Sequence, residues 1–257
     1  MSVNKYLIVG SGRGIGLALV EEIVARDVTS HVYATVRDPS KVAALDKLVA
    51  DHPGRITIIK LDMTHEQGVK LAAEQVSQTT QSLDMIICNG GVFAGAGRLE
   101  DLSAADLATN LSTNLVGSHN VSRAFSPFLL ASHHPHRVLG YVSSIAGSIS
   151  NLPGTMQVFR DKVGVDYFVS SGYAISKSGL NMLARQWATV LEPQGVAVVV
   201  LSPGWVLTDL NPLATGDDAI SPAQSAAKMY DMLSTIDIKK TYEGIYAVEA
   251  QGEVVPW

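Results

Sequence analysis

Short apolar segments alternate with longer amphipathic segments along the whole chain. The apolar segments have strand length and lie at 6–9, 32–36, 55–60, 85–88, 137–142, 196–201 and 244–248. The amphipathic segments predict helices near 15–26, 39–50, 65–80, 102–131, 173–191 and 221–235. Strands that alternate with helices favour a parallel sheet with helices on both faces. We therefore predict an α/β fold with a doubly wound parallel sheet, in a single domain spanning 1–257.

Composition supports one large core and argues against several kinds of partner. The 257 residues are 47% hydrophobic with a mean hydropathy of +0.20, which is enough apolar content to bury one core. The net charge is −5 and no Lys/Arg cluster offsets it, so we expect no nucleic-acid partner. No apolar run reaches membrane-spanning length, and the short segment before the first predicted strand leaves no room for a signal peptide. We expect a cytoplasmic protein with no membrane partner.

The cysteine and histidine residues predict neither a disulfide nor a metal site. Cys88 is the only cysteine and ends an apolar segment, which favours a buried, unreactive thiol. The run His133-His134-Pro135-His136 lies between a predicted helix and a predicted strand, so an exposed polar loop competes with a metal site. No nearby cysteine or carboxylate completes a ligand set. We predict no bound metal.

The first predicted strand runs directly into a glycine-rich turn and a helix. The turn consists of Gly10, Ser11, Gly12, Arg13, Gly14, Ile15 and Gly16. Its glycines permit a tight turn and let backbone N–H groups approach a phosphate, which the helix N-terminus then faces. An ordinary loop is the alternative, but the position between a strand and a helix favours a dinucleotide site. We predict that the whole turn contacts the cofactor.

Tyr173 and Lys177 form a second chemical signature. They lie four residues apart at the start of a predicted helix, so their side chains share one face about one turn apart. A tyrosine titrates near pH ~10, and a neighbouring cation favours its phenolate. Such a pair also arises by chance in chains of this composition. Its interpretation therefore depends on the other motifs.

Taken in order, these motifs resemble the short-chain dehydrogenase/reductase family across essentially the whole chain. The glycine turn is followed by Asn114, Ser144, Tyr173 and Lys177, the order of that family's catalytic tetrad. The closing residues 254–257 resemble the endings of C-factor-like and fungal secondary-metabolite ketoreductases. The resemblance implies a Rossmann-type fold, a nicotinamide cofactor and a small-molecule carbonyl substrate, which could be a polycyclic or aromatic secondary metabolite.

The resemblance also implies a role for each tetrad residue. Ser144 hydrogen-bonds the carbonyl oxygen and Tyr173 donates the proton. Lys177 holds the nicotinamide ribose and lowers the pKa of Tyr173, while Asn114 anchors a water that links Lys177 to solvent. Helix packing by Asn114 and a loop-capping role for the serine are the alternatives. Ser143 is the competing serine, and the family's Ser-Ser-x-x-Gly spacing favours the second of the two.

Three further segments resemble the family's cofactor contacts. These contacts are Asn89, Gly90 and Gly91 after the fourth strand; Pro203, Gly204, Val206 and Thr208 after the sixth; and Asp62 and Met63 at the adenine ring. Cys88 replaces the first Asn of an Asn-Asn-Ala-Gly segment, so a hydrogen bond between neighbouring strands is lost or replaced. Val9 stands where a Thr is usual. For Asp62, capping of the turn before Thr64 is the alternative.

Charge near the predicted adenosine site favours NADP(H). A 2′-phosphate requires cations, whereas a free 2′-hydroxyl is gripped by a carboxylate at the end of the second strand. The chain offers Arg37 after that strand and Arg13 in the glycine turn. Asp38 is the only carboxylate nearby, and it precedes Pro39 as a turn or cap residue would. We predict that both guanidinium groups bind the 2′-phosphate.

The segment 147–172 is an insertion beside the predicted active site. Ser144 and Tyr173 are 29 positions apart, whereas about a dozen residues separate them in the family. A surface excursion without a role is the alternative to a substrate-facing flap, which we favour because such loops bind ligands in parallel sheets. Phe159 and Trp205 are candidate apolar walls of the substrate site, with core packing as the alternative.

Two functional classes compete with NADPH-dependent carbonyl reduction. One is a non-redox cyclase or isomerase of the same fold, or an imine reductase, and the other is a nucleotide-sensing binding protein. The complete tetrad argues against a sensor, which needs no acid–base relay. A homodimer or homotetramer is possible through the helices at 102–131 and 173–191, whose apolar stripes also fit burial on the sheet.

Overall fold

A computed structural model gives the fold and describes residues 3–167, 169–211, 213–214, 219–237, 244–247 and 253–257. One sheet contains β1 (Lys5–Val9), β2 (His31–Val36), β3 (Ile56–Lys60), β4 (Met85–Cys88), β5 (Arg137–Val142), β6 (Val196–Ser202), β7 (Ile245–Ala247) and β8 (Glu253–Val255). The strand order is β3-β2-β1-β4-β5-β6-β7-β8, and every neighbouring pair is parallel except β7 and β8. The predicted doubly wound parallel sheet is confirmed. Position 248 of the seventh predicted strand lies outside the described residues, and β8 was not predicted.

Helices cover both faces of this sheet. They are α1 (Gly14–Arg26), α2 (Ala43–Asp51), α3 (Glu66–Ser77), α4 (Ala104–Asn110), α5 (Ser118–Leu130), α6 (Leu152–Val163), α7 (Ser171–Leu191) and α8 (Pro222–Thr235). The helix predicted over 102–131 is present as a continuous helical run from α4 to α5, but the π-helical segment at Leu111–Gly117 between them was not predicted. The insertion contains α6, whose Pro153 occupies the first turn, where the missing N–H costs nothing.

The alternation of side chains along β1 shows how the sheet builds two cores. Ile8 packs with apolar residues of α1, α2 and α8 on one face, and Leu7 packs with those of α3, α5 and α7 on the other. Successive strand residues point to opposite faces, so a strand covered on both faces is apolar throughout. Burying each such side chain contributes about 1.5–3 kcal/mol.

The chain changes direction across the sheet between β1 and β4. It runs outward from β1 through β2 to β3, and then returns to place β4 on the other side of β1. A crevice forms at such a switch point, outside the carboxyl ends of the strands, where α/β sheets bind ligands. The glycine turn follows β1 and the segment Asn89–Gly91 follows β4, so both border this crevice.

Candidate active site

The glycine turn is held in a tight geometry by close backbone approach. Gly10 has a positive φ of 80°, and α1 begins at Gly14. A Cβ on Gly16 would lie 2.0 Å from the carbonyl oxygen of Gly10, so no larger residue fits there without a backbone shift. The first N–H groups of a helix have no acceptor within that helix. The turn therefore directs backbone donors toward the crevice, as a phosphate site requires.

Ser11 enters this turn with its side chain facing the protein. Its hydroxyl is fully buried and donates to the carbonyl of Ile8 at 2.8 Å. Its backbone N–H donates to the carbonyl of Thr35 at 2.8 Å. The Thr35 hydroxyl accepts from the N–H of Gly10 at 3.2 Å. Thr35 was not singled out from the sequence, because its position in β2 fixes its partner only through strand pairing. The Ser11 side chain is thus a turn-stabilising group.

Asn89 forms hydrogen bonds between neighbouring strand ends, next to Cys88, where the resemblance predicts that such a bond is lost or replaced. Its Nδ2 donates to the carbonyl of Val9 at 3.3 Å and to that of Gly10 at 3.1 Å. The end of β4 is therefore tied to the end of β1. Gly90 and Gly91 continue past this tie, and a Cβ on Gly91 would lie 3.3 Å from Asn114 Oδ1 and 3.8 Å from Lys177 Nζ. The predicted cofactor segment thus adjoins the predicted catalytic residues.

Asp62 makes the turn-capping contacts given above as the alternative. Its Oδ1 accepts from the backbone N–H of Thr64 at 3.0 Å and from the Thr64 hydroxyl at 2.7 Å. Partial burial raises the pKa of Asp62, but the bonds from Thr64 outweigh it and the net pKa is lowered. Met63 is buried in the core, where it packs against Gly117. Contact of either residue with adenine stays a prediction.

The two predicted phosphate-binding cations lie at the surface beside the turn. Arg13 is exposed and pairs with Asp209 at 2.8 Å, a partner that was not predicted. Arg37 is exposed after β2, and its charge contributes to the lowered pKa of Asp62. Asp38 is the predicted cap, since its Oδ1 accepts from the Ser40 N–H at 3.1 Å. Because exposed ion pairs are weak, Arg13 can leave Asp209 to bind another anion.

Helix α7 carries both Tyr173 and Lys177, on one face as predicted. Lys177 is buried, its Nζ donates to the carbonyl of Val142 at 2.8 Å, and it lies 5.4 Å from the centre of the Tyr173 ring. The Tyr173 ring packs against Phe93, with ring centres 5.6 Å apart. Phe93 was missed from the sequence, because a loop phenylalanine gives no signal of what it contacts.

The pKa values of this pair differ from the sequence expectation. Burial raises the pKa of Tyr173 to about 12, and a hydrogen bond with Ser144 acts in the opposite direction. Burial also lowers the pKa of Lys177 to about 8. The expected lowering of the Tyr173 pKa by Lys177 is therefore not observed. The physical reason is that both groups lose their hydration, which favours the neutral form of each.

Asn114 lies within the π-helical segment and is fully buried. Its Oδ1 accepts from the Val92 N–H at 2.8 Å, and its Nδ2 donates to the Val92 carbonyl at 3.0 Å and to Ser176 Oγ at 2.9 Å. Its own carbonyl accepts from the Ser118 hydroxyl at 2.8 Å. Isolated π-helical turns commonly occur at functional sites. The side chain thus connects the loop after β4 to α7, while its predicted water-anchoring role stays a prediction.

Ser143 and Ser144 follow β5 and face different surroundings. Ser143 is buried and donates to Asn181 Oδ1 at 2.6 Å. Ser144 is partly exposed and lies close enough to Tyr173 to act on the pKa of that phenol, and its Oγ accepts from the Ala146 N–H at 3.1 Å. Both serines line the cavity described below, and the choice of Ser144 as the catalytic serine stays a prediction.

The segment after β6 brings further predicted residues to the same place. A Cβ on Gly14 would lie 3.5 Å from Thr208 Cγ2, so this segment adjoins the glycine turn. It borders a mainly apolar cavity lined by Ile15, Phe93, Ser143, Ser144, Ala146, Phe159, Ser170, Tyr173, Pro203, Gly204, Trp205, Val206, Thr208, Leu210, Asn211 and Leu213. Val206 is buried. None of these described lining residues carries a formal charge.

The insertion supplies one wall of the cavity. Phe159 on α6 is 4% exposed and meets Trp205 edge to face, with ring centres 6.4 Å apart. Both residues also line the cavity, so the wall role and the packing role occur together. The base of the insertion is held by the chain's closing residues, since Ser150 N–H donates to the Trp257 carbonyl at 3.0 Å. Position 168 of the insertion lies outside the described residues.

The described residues contain no alternative metal or membrane site. No group of three or more His, Cys, Asp or Glu side chains among them could hold a metal ion. His136 Nε2 lies 2.6 Å from the carbonyl of Leu233, which gives that ring a structural contact. Cys88 is buried, and burial raises its pKa to about 12. Within the described ranges, no helix is both long enough and apolar enough to span a bilayer.

Comparison with known proteins places these features in a family. A family model described as enoyl-(acyl carrier protein) reductase matches residues 9–243. An uncharacterized oxidoreductase of Schizosaccharomyces pombe, C663.06c, is 28% identical over 271 residues, covering 100% of this chain and 99% of the relative. The C-signal protein of Myxococcus xanthus is 32% identical over 180 residues, covering 69% of this chain and 95% of that protein.

Solved structures are similar over the full length. The NADPH-bound carbonyl reductase from chicken fatty liver superposes with a TM-score of 0.87 at 28% identity, covering 100% of both chains. The carbonyl reductase Sniffer of D. melanogaster, at 24% identity and a TM-score of 0.86, supports the fold alone. With the family model matching most of the sequence, the chain belongs to the short-chain dehydrogenase/reductase family of oxidoreductases.

Proposed function

We propose that this protein reduces a ketone or aldehyde to an alcohol, or catalyses the reverse reaction, with NADP(H) as its cofactor. The observation that carries the proposal is the cavity that brings Ser144 and Tyr173 together beside the glycine turn. A hydroxyl pair of this kind can bind a carbonyl oxygen and protonate it.

The residues around the glycine turn fit a phosphorylated dinucleotide. The backbone at Gly10 and Gly16 is too close for larger side chains, and the α1 N-terminus supplies donors for phosphate. Arg13 and Arg37 supply positive charge for a 2′-phosphate, while Asp38 is occupied with Ser40 and Lys41. The chicken enzyme of the same fold binds NADPH. When bound, the cofactor supplies the hydride.

Tyr173 is suited to act as the general acid. Its pKa of about 12 keeps the phenol protonated at neutral pH, so a proton is available for the developing alkoxide. Ser144 would position the carbonyl oxygen by donating its one hydroxyl proton to it. Lys177 lies 5.4 Å from the centre of the Tyr173 ring and beside the segment assigned to the cofactor ribose, which it would hold.

The cavity favours a neutral substrate. Its described lining has no charged side chain and includes the rings of Phe93, Phe159 and Trp205. A carboxylate brought into such a site would lose its hydration, and none of the described lining side chains offers it an ion pair. We therefore place an uncharged, apolar carbonyl compound here.

Substitution of Tyr173 with Phe tests this proposal. We expect NADPH consumption with carbonyl compounds to fall by a factor of about 10² or more, while NADPH binding measured by calorimetry is retained. Unchanged turnover would exclude Tyr173 as the acid. NADPH binding with no turnover of any carbonyl or imine by the unmodified protein would support the nucleotide sensor instead. Substrate conversion without NADPH consumption would support the cyclase or isomerase.

A further inference from the structure

Helix α7 carries a buried amide that the reaction above does not use. Asn181 lies one turn after Lys177 and is 3% exposed. Its Oδ1 accepts from the Ser143 hydroxyl at 2.6 Å, and its Nδ2 donates to the Gly147 carbonyl at 3.1 Å, both in the protein interior. Each end of the amide is therefore satisfied by a partner on the loop that follows β5.

These partners lie on either side of Ser144. Ser143 precedes it directly, and Gly147 ends the short 3₁₀ turn that follows it. Ser178 on α7 also donates to the Gly147 carbonyl, at 2.8 Å. A Cβ on Gly147 would lie 2.8 Å from the carbonyl carbon of Lys177, so this loop is in direct backbone contact with α7. The loop is thus fastened to the helix before and after its catalytic residue.

The same helix carries Tyr173 and Lys177, which makes this attachment relevant to the reaction. We propose that Asn181 is a positioning residue that holds Ser144 within hydrogen-bonding reach of Tyr173 by bridging both sides of the 143–147 loop. Asn181 does not line the cavity and touches no reacting atom. The inference rests on the proposed role of Ser144 in carbonyl reduction.

The other attachments of the loop explain why an additional anchor matters. The Ser143 N–H donates to the carbonyl of Leu201 at 2.7 Å, and the Ile145 N–H donates to Ser202 Oγ at 3.2 Å. Strand β6 therefore holds the loop from its other side. These bonds fix the loop relative to the sheet. The bonds to Asn181 fix it relative to α7, and the distance from Ser144 to Tyr173 depends on that second relationship.

Asn181→Leu removes both bonds with little change in volume, and Ser143→Ala removes one of them without adding atoms. We expect kcat for a carbonyl substrate to fall about 10²-fold in the first variant, because catalysis is sensitive to misplacement of about 1 Å. We expect kcat to fall about 10-fold in the second variant, because the loss of one hydrogen bond has an effect of that size. The NADPH dissociation constant should stay within about 3-fold of the parent value, because the glycine turn is unaffected.

Ser132→Ala is the matched control, since it deletes another buried hydroxyl, one bonded to Asp84 near the start of β4. We expect it to lower thermal stability while leaving kcat unchanged. If Ser143→Ala and Asn181→Leu also lower only stability, the positioning role is wrong. Should Asn181→Leu fail to fold, Ser143→Ala carries the test by itself.

Combination with Ser144→Ala separates positioning from a general structural effect. In that background, Ser143→Ala and Asn181→Leu should produce no further loss of kcat, because the group they position is absent. Multiplicative losses would overturn the inference. If Ser144→Ala by itself leaves kcat unchanged, the proposed function fails. A low kcat in Ser144→Ala, with normal kcat in both Ser143→Ala and Asn181→Leu, rejects the inference and leaves the proposed function standing.

Discussion

The ammonium group of Lys177 lies 5.4 Å from the centre of the Tyr173 ring and donates a 2.8 Å hydrogen bond to the carbonyl of Val142. One turn of α7 separates the two side chains; Lys177 is buried, and Tyr173 is partly exposed in the cavity. Burial lowers the pKa of Lys177 to about 8 and raises that of Tyr173 to about 12. The arrangement keeps the acid protonated and places a cation beside it near neutral pH.

The buried lysine predicts a specific pH dependence of stability. The folded-state pKa of about 8 lies below the ordinary value of 10.5, so between these values the unfolded chain binds more protons. The free energy of unfolding contributed by Lys177 should therefore rise with pH across this window, by up to about 1.4 kcal/mol per pH unit. Lys177→Met should lack this rise. Urea denaturation of both proteins from pH ~7.5 to ~10 measures the difference.

Lys47→Met is the control for that comparison. Lys47 is exposed and pairs with Asp51, which raises its pKa, so it keeps its proton throughout the same window. Its removal should leave the slope of stability against pH unchanged. A constant stability difference between the parent protein and Lys177→Met across the window would contradict the assigned pKa shift.

Selection of NADPH over NADH is expected to depend on Arg13 and Arg37. Arg13→Ala and Arg37→Ala should each weaken NADPH binding about 10-fold or more, because each loses a charge-assisted contact with the 2′-phosphate. NADH binding should change little. Arg26→Ala serves as control, since Arg26 lies at the opposite end of α1 and pairs with Asp231. Calorimetric titration with both cofactors distinguishes the outcomes, and equal losses for NADPH and NADH would refute the assignment.

Removal of the Asp209 carboxylate should have an effect on NADPH binding opposite to that of removing Arg13. Both side chains are more than 70% exposed, at 74% and 73%. Asp209→Asn should therefore alter the free energy of unfolding by less than about 1 kcal/mol. NADPH affinity should stay equal or increase, because Arg13 no longer has a competing carboxylate. Weaker NADPH binding in Asp209→Asn would show that the pair itself supports the cofactor site.

Phe159 is expected to limit the size of the substrate. Phe159→Ala removes a buried ring from the cavity wall, so kcat/KM should increase for bulkier ketones relative to small ones. Loss of the ring should also destabilise the fold by about 3–5 kcal/mol, as large-to-small core substitutions do. Leu152→Ala on the same helix is the control, because Leu152 is 45% exposed. Unaltered size preference in Phe159→Ala would exclude α6 as a substrate wall.

Gly16 is expected to be required for cofactor binding. In Gly16→Ala the new Cβ would lie 2.0 Å from the Gly10 carbonyl oxygen, so the turn must shift and NADPH affinity should fall at least ~10-fold. Gly68→Ala is the matched control, because its Cβ would meet His65 only at an ordinary 3.6 Å. That helix substitution should be neutral or stabilising by about 0.5–1 kcal/mol. Parent-like NADPH binding in Gly16→Ala would contradict the proposed binding of phosphate by the glycine turn.

Some features of the site followed directly from local sequence. The succession from an apolar strand through Gly10–Gly16 into a helix depends on neighbouring residues, as does the one-turn spacing of Tyr173 and Lys177. The helix α6 was missed because Pro153 and Gly154 disfavour helix interiors, although a proline fits the first turn. The π-helical segment was missed because its hydrophobic pattern continues that of the flanking helices.

Other features depend on contacts between distant parts of the chain. The sequence does not indicate that Asn181 binds on both sides of Ser144, that Phe93 packs on Tyr173, or that Arg13 meets Asp209. The direction of the Tyr173 pKa shift was mispredicted for the same reason, since burial is a property of the assembled site.

The sequence by itself therefore determined the alternating fold, the glycine turn between β1 and α1, and the order of the catalytic candidates, because periodicity and short motifs act over a few residues. Tertiary structure alone decided which serine faces Tyr173, how α6 closes the cavity and how strongly the buried groups hold their protons. Those properties arise from packing and loss of hydration, which only the folded chain brings about.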